Sequence, residues 1–113
     1  MKPFLIMVGI DIVDIARIKR ALERHGERFL VKVFAPSEIA YARSRKRMEE
    51  SLAGRFAAKE AFMKARGKRL SFRDIEVHSD DGKPFIVFQG TRYDEVSISH
   101  ERSYAVSVVI CKD

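Results

Sequence analysis

A chain of 113 residues that is 46% hydrophobic has material for one compact domain over residues 1–113, with a modest core and no surplus for a second. Its net charge of +6 is uneven: Ile12 to Arg73 holds 17 Lys+Arg against 7 Asp+Glu and the remainder 5 against 9, so the first two thirds should attract an acidic partner. Cys111 is the lone cysteine, which excludes an intramolecular disulfide; the apolar start, Phe4 to Val13, is too short to span a bilayer, is broken by Asp11 and lacks a small-residue cleavage site. A cytoplasmic protein with no membrane segment is expected.

Phe4 to Ile10 has the length and β-branched content of a buried strand, and Asp14 is placed to cap a helix running through Arg24. After a break at His25-Gly26, a second short helix is predicted over 27–34. A third should start at Pro36-Ser37 and run to about Arg45. Arg43 to Arg47 reads as a solvated loop. From Glu49 to Arg66 the Ala, Leu, Lys, Glu and Met content favours a long helix, with Gly67 placed to end it. The last third changes character. Ile75 to Ser79 and Lys83 to Gln89, joined by Asp80-Asp81-Gly82, predict a hairpin, because Asp-Gly supplies the positive φ angles of a tight turn. Val96 to Ser99 and Tyr104 to Cys111 predict two more strands around the polar His100 to Ser103. A strand and helices followed by mostly antiparallel strands make an α+β domain.

Two acids stand in apolar surroundings. Asp11 lies in Gly9-Ile10-Asp11-Ile12-Val13-Asp14-Ile15 and Glu60 in Phe56-Ala57-Ala58-Lys59-Glu60-Ala61-Phe62-Met63-Lys64. A carboxylate is costly to desolvate alone, so a cation, an ion pair or a raised pKa is implied. Glu60 falls beside the apolar stripe of the long helix and shares its face with Lys64; the pair is either a helix-surface ion pair, or a metal ligand or acid/base with Lys64 as a phosphate contact or proton acceptor. Asp11 is a second candidate cap, but Asp14 competes for that role and leaves one acid free. Two carboxylates suit Mg²⁺, which takes few protein oxygens and fills its octahedron with water and phosphate oxygens. Zinc is disfavoured, since there is one Cys and His25, His78 and His100 lack ligand spacing.

The segment Gly9 to Ile18, and Leu52-Ala53-Gly54-Arg55-Phe56-Ala57-Ala58-Lys59-Glu60-Ala61 with Lys64, resemble the two signature segments of the holo-[acyl-carrier-protein] synthases of the 4'-phosphopantetheinyl transferase superfamily. Leu70 to Val77 leading to Gly82-Lys83-Pro84, and Val96 to His100 with Tyr104-Ala105, agree in order and spacing. The resemblance implies a Mg²⁺-dependent enzyme with the family's fold. It moves the 4'-phosphopantetheine arm of coenzyme A to a serine of apo acyl carrier protein and releases adenosine 3',5'-bisphosphate, a step of fatty acid biosynthesis. By resemblance Asp11 and Glu60 hold Mg²⁺ and Lys64 is a catalytic cation near the phosphates or the proton acceptor, with Asp11 or a metal-held water as the alternative base.

Arg55, Lys64, Lys83, Pro84, Ser99 and His100 match segments that contact coenzyme A, some from an adjacent subunit, because short bacterial members form homotrimers with each active site between neighbours. The basic excess then meets acidic carrier protein. Arg17, Arg20 and Arg24 share one helical face, Arg28 continues it if direction is kept across Gly26, and Phe29 adds an apolar contact. The chain departs from the family in its short loop after Gly67, where Lys68 or Arg69 would have to serve, and in having no room for a helix between Gln89 and Glu95. The alternative is a small basic nucleic-acid-binding domain with Arg43 to Arg47 on phosphates. It leaves the two acids without a role.

Overall fold

The computed structural model describes residues 5–112, so the predicted strand start at Phe4 lies outside the described residues. Strand β1 covers Ile6–Asp14 and is followed by helices α1 (Ile15–His25), α2 (Glu27–Val33), α3 (Pro36–Ser44) and α4 (Met48–Arg66). After a 3-10 turn at Phe72–Asp74 come β2 (Ile75–Asp80), β3 (Lys83–Phe88), β4 (Thr91–Tyr93), β5 (Val96–His100) and β6 (Tyr104–Lys112). The α+β expectation holds. One antiparallel sheet has the order β1-β6-β5 and the other β2-β3-β4.

Local chemistry explains the boundaries. The Asp14 carboxylate accepts the Ala16 N–H at 2.9 Å, capping α1 and leaving Asp11 free. Gly67, at φ 67° and ψ 28°, ends α4 in the left-handed conformation that suits glycine. Asp81-Gly82 makes the predicted hairpin turn. A second turn at Gln89-Gly90, with positive φ at both residues, cuts β3 at Phe88 and starts β4, which the sequence reading missed.

Helix α4 is the axle of the fold. It is buried on nearly every side, packing at its start with Val13, Ile15, Ile18, Leu30 and Phe34 and at its end with Val77, Ile86, Val109 and Cys111. Strand β1 lies against it at backbone range: a Cβ added to Gly9 would stand 1.8 Å from Ala61 O and 2.7 Å from Ala65 N. Gly9 therefore sets the distance between the two segments that carry the acids.

Two expectations are corrected here. The first strand runs on to Asp14, so Asp11 lies within it, opposite Ser107 of β6, rather than at its end. Nor is β1 buried on both faces. Gly9 and Val13 face α4, while Ile6, Val8, Ile10 and Ile12 are 58–64% exposed, because none of the described residues covers the other face of the sheet.

Candidate functional site

The strand and the long helix bring together Asp11 and Lys64, 53 residues apart in sequence. Lys64 Nζ donates to Asp11 Oδ1 at 3.1 Å and to Ile10 O at 3.0 Å. Glu60 lies one turn before Lys64, about 40° around α4. Its Oε2 accepts from Arg69 Nη1 at 3.1 Å, so the short loop past Gly67 returns a guanidinium to the acid nine residues earlier. The Asp11 and Glu60 side chains are 16% and 18% exposed. They sit at the rim of the core, each with a cation, rather than inside it. Lys64, Lys68 and Arg69 border one small basic recess with Met63 and Gly67, so the shortened loop keeps cations beside the acids.

Among the described residues the wholly buried acid is Glu38 on α3, 1% exposed, which the sequence reading did not single out. Its Oε1 accepts from Lys59 Nζ at 2.7 Å and from the Ala35 N–H at 2.9 Å, and its Oε2 from the Val77 N–H at 3.2 Å. Lys59 also donates to Phe72 O at 2.9 Å and Ile75 O at 2.6 Å, which fills its three donors. Burial pushes the Lys59 ammonium below the ordinary lysine range, with Glu38 opposing. A signal was present: Lys59 stands at +7 from Leu52, −3 from Phe62 and −4 from Met63, inside an apolar stripe.

A second site lies elsewhere on α4. Arg55 is about 140° around the helix from Glu60 and about 180° from Lys64, so it cannot share their side. It borders a cleft of about 360 Å³ with Gly82, Pro84, His100 and Tyr41, into which Arg45, Lys46 and Arg47 also face. The predicted solvated loop is thus the basic wall of a cleft, with Arg43 and Ser44 belonging to α3. The Arg55 guanidinium lies 4.1 Å from the Tyr41 ring centroid, and desolvation lowers its pKa, with Glu38 and Tyr41 opposing.

The structure therefore separates the predicted residues into two groups: Asp11, Glu60 and Lys64 on one side of α4, and Arg55, Pro84 and His100 on the other. Two candidates fall outside the cleft. Lys83 Nζ donates to Asp94 O at 2.9 Å, tying the hairpin to the β4–β5 turn. Ser99 borders a separate recess with Ile12, His100 and Tyr104 on the exposed side of the β1-β6-β5 sheet.

Arg17, Arg20, Arg24 and Arg28 are all exposed. Arg17 lies 5.8 Å from the centroid of Phe56, on α4, and so leans toward the helix that carries Glu60. Phe29 is partly buried, edge-on to Phe34 at 5.9 Å, with the rest bordering a recess with His25, Arg28 and Lys32.

The donor set fits a hard divalent cation. Two carboxylates on rigid elements, with lysine and arginine at the same rim, make a donor set of the kind that Mg²⁺ takes from protein. No group of three or more His, Cys, Asp or Glu with metal-binding geometry occurs among the described residues, so the remaining positions would fall to substrate and water. No helix among them is long and apolar enough to cross a membrane.

The family model described as the 4'-phosphopantetheinyl transferase superfamily matches residues 7–109. A holo-[acyl-carrier-protein] synthase of Halothermothrix orenii is 44% identical, over 91% of this chain and 94% of the relative. One of Chloroherpeton thalassium is 46% identical at the same coverages. Among solved structures, a holo-(acyl-carrier-protein) synthase of Bacillus anthracis in complex with CoA (3',5'-ADP) superposes with a TM-score of 0.86 at 37% identity, covering 98% of this chain and 99% of that one. The Helicobacter pylori holo-[acyl-carrier-protein] synthase in complex with coenzyme A gives 0.82 at 33%, covering 95% and 100%.

Proposed function

Because the chain belongs to the 4'-phosphopantetheinyl transferase superfamily, as a holo-[acyl-carrier-protein] synthase, we propose that it transfers 4'-phosphopantetheine from coenzyme A to a serine of apo acyl carrier protein with the aid of Mg²⁺. The observation that carries this reading is the Asp11–Lys64 bond, which joins the two family-like segments at one rim and sets Glu60 beside them.

In the reaction the serine oxygen bonds to the β-phosphorus as the bond from that phosphorus to the bridging oxygen breaks. Adenosine 3',5'-bisphosphate leaves, and the serine proton must be taken up. Mg²⁺ held by Asp11 and Glu60 would neutralise charge on the pyrophosphate. Lys64, whose Nζ donates to Asp11 Oδ1 and to Ile10 O, would meet a phosphate oxygen or take the serine proton, with Asp11 or a metal-held water as the alternative base. Arg55 and His100 would hold the nucleotide end, where fixed cations align the phosphates before attack. The exposed arginines of α1 and α2 would receive the acidic carrier, in a cytoplasmic setting and in the service of fatty acid synthesis.

The residues 1–113 serve as a single domain in this reading, and three copies complete the site. Within one chain the acids and the nucleotide cleft lie on opposite sides of α4, so a ligand reaching both would have to bridge two chains. An exposed apolar face on β1, continued by Val106, Val108 and Ile110 of β6, offers the surface for that association. Nothing in the geometry favours the nucleic-acid alternative: its basic run borders the same cleft as Arg55 and His100.

Incubation with apo acyl carrier protein, coenzyme A and Mg²⁺, read by intact mass, should add one phosphopantetheine to the carrier. Asp11→Asn and Glu60→Gln should each cut the rate at least about a hundredfold while far-ultraviolet circular dichroism stays unchanged. A carrier that gains no mass, while a known transferase succeeds in parallel, overturns the reading.

A further inference from the structure

The cleft beside Arg55 holds one acid among its cations. Glu50, in the first turn of α4, is 20% exposed; its Oε2 lies 3.1 Å from Arg47 Nη1, and its Oε1 lies 3.2 Å from His100 Nδ1. Arg55, 7% exposed, has its Nη1 on Ser51 Oγ at 3.3 Å, while its buried Nε finds no acceptor among the described residues. An orphaned buried N–H costs free energy unless a ligand or water supplies the acceptor. The cleft thus combines an unfilled donor with two groups that lie against a carboxylate of the protein itself.

We infer that Glu50 is the resident counter-anion of this cleft, holding Arg47 and His100 in place while the cleft is empty and yielding them to the phosphate groups of an incoming nucleotide. The exchange is chemically balanced. A carboxylate oxygen and a phosphate oxygen accept the same N–H bonds, but a phosphomonoester carries up to two charges and more acceptor oxygens, so it wins the two groups and leaves Glu50 to water at the cleft mouth. Ligands with a single weak charge do not. Glu50 would then act as a specificity-determining residue: it lowers affinity for every anion, but least for those that engage Arg47, His100 and Arg55 together, and it speeds release by reclaiming its partners. Its place in the first turn of a 19-residue helix also suits an acid beside the helix dipole, a purely structural role that makes the opposite prediction for binding.

The inference rests on the reading of this cleft as the phosphate-binding end of the coenzyme A site, and the test separates the two. Adenosine 3',5'-bisphosphate and inorganic pyrophosphate are titrated calorimetrically into the wild-type protein, Glu50→Gln and Glu50→Asp. Loss of two partly exposed pairs should let Glu50→Gln bind both probes about tenfold more tightly, with the gain shrinking in high salt. Glu50→Asp keeps the charge and should remain near the wild-type affinity. In the transfer assay, Glu50→Gln should lower KM for coenzyme A and kcat together, as product leaves more slowly. Binding by Glu50→Gln that is unchanged or weaker for both probes overturns the inference, as does wild-type protein that binds neither. Wild-type protein that binds pyrophosphate but not the nucleotide counts against the coenzyme reading alone, because the comparison of variants is then made with pyrophosphate.

Discussion

Lys59 Nζ and Glu38 meet with no exposure on either side chain, and the hydrogen bonds around them tie α4 to α3, to the 3-10 turn and to β2. Removing one partner of such a pair strands the other charge in the core. Lys59→Met, which keeps the length of the stem, should cost about 3–5 kcal/mol in urea unfolding, and adding Glu38→Leu should recover part of it. Proton linkage gives a second readout. Because burial lowers the Lys59 pKa in the folded protein, the unfolded chain binds more protons at pH values between that lowered pKa and the ordinary lysine pKa. Wild-type stability therefore gains with rising pH in this window relative to Lys59→Met. Equal slopes in the two proteins would remove the linkage. Lys59 sits next in sequence to Glu60, so that rim acid stands on a helix whose position an internal ion pair fixes.

Elements meet in this fold through glycine at two contacts of different kinds. At Gly9 the space is filled by backbone, and neither Ala61 O nor Ala65 N can move without breaking α4. Gly9→Ala should destabilise by at least about 3 kcal/mol and push β1 off the helix, so transfer is lost together with stability. At Gly54 the nearest atom to an added Cβ is the Ile98 Cγ2 methyl at 3.0 Å, the far end of a side chain. Gly54→Ala gains about 1 kcal/mol of helix propensity against that contact, so its net effect should stay within about 1 kcal/mol. Thermal melts of the two variants check the contrast, and similar losses in both would refute it. The sequence announced the elements themselves well where the signal was local. The Asp14 cap, the Gly67 stop and the Asp81-Gly82 turn each rest on chemistry within a few residues. The β4 strand was missed because a three-residue strand has no periodicity to read.

The whole molecule carries a surface that one chain leaves bare. Ile6, Val8, Ile10 and Ile12 stand on the far side of β1 from α4, and alternate exposure along a strand this apolar is what a buried interface between copies would use. Wild-type protein should sediment at the mass of a trimer. Ile10→Lys, which adds a charge at the centre of the face while leaving the α4 side untouched, should sediment as a folded monomer and lose transfer. A wild-type monomer with full activity would sink this account. The same picture explains why sequence reading took β1 for a core strand: hydrophobic content reports that a face is to be covered, not whether the cover is its own chain.

What the sequence determined by itself was local and compositional: the helices, the hairpin, the caps, the basic first two thirds, and Asp11, Glu60 and Lys64 as residues to watch. These follow from spacing, turn chemistry and charge, each of which acts over a few residues. Only the tertiary structure decided that Lys64 bonds to Asp11 across 53 residues, that Glu38 and not Asp11 or Glu60 is the buried acid, and that Arg55 borders one cleft with Pro84 and His100. Such facts depend on which elements pack against which. Burial and long-range pairing are properties of the assembled fold, and no window of sequence contains both partners.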